Sequence, residues 1–242
     1  MLYVQYKSQL NFRNTSIKRS QSDTNDEEYK ENTANINNID EAIFFFQQFD
    51  LESIKKGIIK LKITIESSSK SIFLQSFFKE SEIINYLFDF IENETLSNSL
   101  KIEIVNILND VIDWYTDDDI EQILKLSFIH NLFDLLMFYY PYTNKEKEKI
   151  KSSQIILIFL TKLSNRTKQS RNLILQNYPN SNLEFPFKQL FEFIKDLSEI
   201  ESLQQFYIRF FSSLCYYKFD FDTSSSIYNE YVINFFDESI VH

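Results

Sequence analysis

The chain has 242 residues, 43% of them hydrophobic and 25% charged, with a formal net charge of −10. That apolar content can bury a substantial core, which excludes a chain disordered throughout. The acidic balance argues against bulk attraction to nucleic acid or to an anionic membrane. There is one glycine, Gly57, and three prolines, Pro141, Pro179 and Pro186. Hairpin-rich and doubly wound folds need glycine for positive-φ turns and close backbone approach, so an all-α chain is expected, with Asn taking over turn and cap positions. Cys215 is the only cysteine, so no internal disulfide can form and a reducing compartment fits. The stretch from Met1 to Asn14 lacks the apolar run of a signal peptide. No segment approaches the roughly 18 to 20 apolar residues that a membrane span needs.

Residues 1–39, centred on "SQSDTNDEEYKENTANINN", are polar and mixed in charge. Such a composition buries too little surface to offset ordering entropy, so a flexible arm is expected there, followed by a helical domain over 40–242. In "LESIKKGIIKLKITIES", Ile54, Ile58, Leu61 and Ile65 fall on one helical face. "KSIFLQSFFKE" and "SEIINYLFDFIEN" follow, each opened by a Ser expected to cap its first amides. Next come "LSNSLKIEIVNILNDVIDWYT" and "DDDIEQILKLS". The Asp run at 117–119 suits a helix N-terminus, where free amides and the dipole favour negative charge. "IHNLFDLLMFYYP" is expected to stop at Pro141. Then follow "NKEKEKIKSSQIILIFLTKLSN", "TKQSRNLILQN", "PFKQLFEFIKDLS" with Pro186 at an early helical position, "EIESLQQFYIRFFSSLCYYK" and "SSSIYNEYVINFFDESI".

A long apolar helix, a polar turn, a short helix and a third helix recur in that order. Repeats of roughly 40 to 47 residues with two or three helices are the signature of armadillo and HEAT arrays. The expected fold is a right-handed α-solenoid of about three to four such repeats, whose concave face would hold a protein partner.

The stretch "NILNDVIDWYTDDDIEQILKLSFIHNLFDLL" resembles an armadillo repeat of the importin-alpha family, with Ser127 where that family usually has glycine. "SRNLILQN" is similar to the family's C-R-D-L-V-L-x-N segment. The resemblance covers about residues 45–217 and implies a nuclear import adaptor working in cytoplasm and nucleus. The alternative is a scaffold for protein–protein interaction outside transport. In the arm, Phe12, Arg13 and Asn14, followed by Lys18 and Arg19, resemble the start of the family's importin-beta-binding segment, which has a denser Arg cluster. That family reads basic localisation peptides with W-x-x-x-N pairs on successive third helices. Aligned without gaps from the downstream short helix, these pairs fall at Ile107 and Val111, Ile158 and Lys162, and Arg209 and Ser213. None keeps Trp or Asn, and a one-residue slip in the first repeat would present Asn106 and Asp110 instead. Lys162 and Arg209 would repel a basic peptide, so binding in the family's usual mode is expected to be weak or absent.

No catalytic chemistry stands out, and no enzyme activity, cofactor or metal is expected. One glycine permits neither a phosphate loop nor a dinucleotide fingerprint. His130 and His242 belong to no spaced ligand set, and Cys215 reads as a small core residue. Asp110, Asp113, Asp117, Asp118, Asp119 and Glu121 read first as helix capping and a solvated turn, and second as an acidic surface for a basic partner. From Lys149 to Arg171 the chain carries basic residues and no acid. Its apolar residues sit at core spacing, so no nucleic-acid binding is expected. The final apolar segment, "YVINFFDESIVH", has no following repeat to cover it, so self-association, a partner at that end, or continuation in a longer protein is expected.

Overall fold

The computed structural model describes residues 26–68, 72–139, 146–175 and 201–215. Among the described residues there are helices and no strand. They are α1 (Asp26–Phe46), α2 (Leu51–Ser68), α3 (Ile72–Glu80), α4 (Ile83–Glu92) and α5 (Asn98–Val111). A 3-10 turn (Ile112–Trp114) follows, then α6 (Asp117–Ile123), α7 (Leu126–Phe138), α8 (Lys147–Arg166), α9 (Lys168–Leu175) and α10 (Glu201–Cys215). The expected helices at 186–198 and 224–240, and with them the expected self-association surface, lie outside the described residues, as do the three prolines.

The long helices pack in sequence order: α2 on α5, α5 on α8, and α8 on α10. They begin at Leu51, Asn98, Lys147 and Glu201, roughly 50 residues apart. A second row forms where α4 packs on both α5 and α7. The short helices α6 and α9 come next after α5 and α8, α6 across the 3-10 turn, and α9 touches α6, α7 and α8. One continuous core runs through the stack, from Ile39 and Phe46 through Leu87, Leu108, Phe128 and Leu160 to Phe210.

α1 corrects the expected arm. Its helix begins at Asp26, so the boundary expected between residues 39 and 40 falls inside one element. Ile36, Ile39, Ala42 and Phe46 are buried against α2. They recur at helical spacing within a polar stretch, and window composition dilutes that stripe. Residues 1–25 lie outside the described set.

The single glycine is explained here. A Cβ on Gly57 would lie 2.5 Å from Phe46 Cε1 and 3.1 Å from the Ala42 carbonyl oxygen. Its role is close approach of α1 to α2, with no positive φ involved.

The caps match expectation in one place and depart from it in another. Thr116 and Asp119 form a reciprocal capping box at α6: the Asp119 amide donates to Thr116 Oγ1 at 3.2 Å, and the Thr116 amide donates to Asp119 Oδ2 at 2.9 Å. The Asp run therefore stands at a helix N-terminus as expected. Ser81 does not cap α4. Its hydroxyl donates back to the Phe78 carbonyl at 2.7 Å, and the cap position is Glu82 at φ 56°. The other Ser expected to cap, Ser71, is outside the described residues.

Candidate functional site

The row of long helices leaves one side uncovered. On α2 this side carries Ile59 and Ile63, 55% and 57% exposed. On α5 it carries Glu103, Asn106 and Asp110, and on α8 Ile158 and Lys162. These helices are neighbours, α2 on α5 and α5 on α8, and the Asp110 carboxyl is within electrostatic reach of Lys62 and Glu66 of α2 and of Lys162 of α8. Partial burial pushes the Asp110 carboxyl above the ordinary carboxylate range; Lys162 opposes that shift and Glu66 adds to it.

The sequence-derived peptide positions are only partly on this face. Ile107 and Val111 are buried in the core, and the slipped pair Asn106 and Asp110 points outward. Ile158 and Lys162 are half-buried on the outer side. On α10, Arg209 is exposed, whereas Ser213 is buried; its hydroxyl donates to the Phe210 carbonyl and shares a short hydrogen bond with Ser164. The six positions therefore do not form a single exposed ladder. Between α5 and α6 lies a 3-10 turn, while α8 is joined to α9 through Thr167 alone. A 3-10 turn winds at about 3.0 residues rather than 3.6, so counting back from the short helix misplaces the α5 register. Phe12, Arg13, Asn14, Lys18 and Arg19 lie outside the described residues.

Trp114, the sole tryptophan, offers no open slot. It is half-buried and packs edge-on to Phe78, with ring centroids 5.3 Å apart.

Three basic residues of the segment from Lys149 to Arg171 are engaged by the fold, whereas Lys151 and Lys168 are exposed. Lys162 Nζ donates to the Asn109 carbonyl and to Asp113 Oδ2, both at 2.7 Å. Arg166 spreads its guanidinium over the end of α5: Nη1 donates to the Ile112 carbonyl, Nη2 to the Tyr115 carbonyl at 2.6 Å, and Nε to Asp117 Oδ1 at 3.0 Å. These carbonyls lie beyond the end of α5, where the helix dipole is negative, and that of Ile112 also accepts the Tyr115 amide at 3.3 Å. Arg171 is buried and donates to the Ser164 carbonyl at 3.0 Å. In return, Asn109 Nδ2 donates to the Ile155 carbonyl of α8 at 3.0 Å. Much of the acidic cluster is engaged in the same junction: Asp113 and Asp117 meet α8, and Asp119 caps α6.

A second polar group sits between α5 and α7. Lys101 is 8% exposed. Burial lowers the pKa of its ammonium, while Glu94 and Asp134 oppose the shift. Burial also raises the Asp134 carboxyl and lowers His130. His130 lies in the second turn of α7, half-buried. Sequence reasoning did not single out Lys101. Its signal is a Lys at the buried register held by Ile54 in α2 and Ser153 in α8.

Among the described residues no group of His, Cys, Asp and Glu could hold a metal ion. No described helix is long and apolar enough to cross a membrane. Among the described residues the chain is an all-helical stack of long helices in sequence order, with apolar, acidic and basic side chains on its outer row. No protein-family model, curated protein or solved structure matches it.

Proposed function

We propose that the chain is an armadillo/HEAT-type right-handed α-solenoid of three to four repeats acting as a non-catalytic scaffold. Its partner is a protein held on the face of α2, α5 and α8. One observation carries this reading: long helices roughly 50 residues apart pack each on the next, leaving a continuous outer row. An array of this kind presents an extended surface without needing a reacting group. The row combines exposed Ile59 and Ile63 with the carboxylates Glu103 and Asp110 and the amide of Asn106. That mixture suits a protein surface better than a small molecule, which calls for a concave and mostly apolar pocket.

The test is affinity capture with the full chain and with the double variant Ile59→Asp, Ile63→Asp. Both side chains are exposed, so the fold should persist, as circular dichroism and the melting temperature will show. Proteins retained by the wild type and lost from a folded variant are expected. Equal retention by both would remove this face from the reading.

The import-adaptor reading draws its support from the sequence resemblance and uses the same face, with cytoplasm and nucleus as its setting. Purified importin beta, titrated against the full chain and against a chain lacking residues 1–25, which leaves α1 intact, tests it directly; no measurable binding to the full chain would remove it. A labelled basic localisation peptide is expected to bind weakly or not at all. Lys162 stands in the row where such a peptide would lie, and no indole slot is present among the described residues.

A further inference from the structure

We draw no further inference here: the strongest candidate, the exposed apolar pair Phe49 and Leu51 at the turn between α1 and α2, where Phe49 is held at φ 55°, carries nothing because nothing in the structure shows what covers it.

Discussion

Two single residues carry more of the structure than their type suggests. Gly57 is helical, and replacing a helical glycine with alanine ordinarily stabilises by about 1 kcal/mol. Here the added methyl meets the buried Phe46 ring, which packs edge-on to Phe90, and the Ala42 backbone. Overpacking of a filled core costs about 1–3 kcal/mol, so Gly57→Ala is expected to give a net loss of up to about 2 kcal/mol, read as a lower urea midpoint. A higher midpoint would show that α1 moves away from α2 without cost. Lys101 runs the other way. Its folded-state pKa is depressed below the ordinary 10.5, so over that window the unfolded chain binds the extra proton. Stability is therefore reduced while the lysine is charged in both states, and it rises as pH climbs from the folded value toward 10.5. Lys101→Met is expected to raise the urea midpoint at pH 7 and to flatten the alkaline rise. Unchanged curves at both pH values would show that Glu94 and Asp134 fully compensate the buried charge.

At the scale of elements, the junction of α5 with α8 is held by donors from one helix on the carbonyl end of the other. Exposed ion pairs contribute only about 0–1 kcal/mol. Arg166 does more than pair charges, because it also donates to the carbonyls of Ile112 and Tyr115. Hydrogen bonds from a charged donor are worth about 1.5–3 kcal/mol, so Arg166→Ala is expected to cost about 2–3 kcal/mol by urea denaturation. Lys151→Ala, at an exposed position on the same helix, should change stability by less than about 0.5 kcal/mol. Equal effects from the two would mean that Arg166 contributes only surface charge. At α6, Thr116→Ala removes half of the capping box and is expected to cost about 1 kcal/mol. The hydrogen bonds with Thr116 hold the Asp119 carboxyl below its ordinary range. The box therefore contributes above the unfolded pKa of about 3.9, and its contribution is lost as pH falls through the lower folded value. The Thr116→Ala penalty should accordingly shrink in acid.

For the molecule as a whole, stability in a stack passes between neighbours. α5 and α8 have long helices packed on both sides, whereas α1 packs chiefly on α2 and α3. Hydrogen exchange should accordingly be slowest for residues 104–108 and 156–160 and faster along α1. Uniform protection across all described helices would show that the chain opens as one unit rather than from an end. Charge follows the same order. Basic residues of α8 meet carboxylates at the end of α5, so opposite charges serve the joints of the stack, while the net charge of −10 remains a property of the surface.

The sequence by itself determined the all-helical character, the position of the Asp run at a helix start, and the recurrence of long and short helices at intervals near 50 residues. These follow from glycine scarcity, capping chemistry and the 3.6-residue period, all of them local. Only the tertiary structure decided which side of each long helix faces out. It placed Asn106 and Asp110 outward where Ile107 and Val111 were expected, because a 3-10 turn shifts the winding after α5. It set Lys162 and Arg166 as donors on the end of α5, and it drew 26–39 into α1. The partners in these contacts lie roughly 50 residues apart or on a neighbouring helix. Periodicity within one segment tells which residues are apolar, but it does not tell which carbonyls a neighbouring helix leaves unpaired.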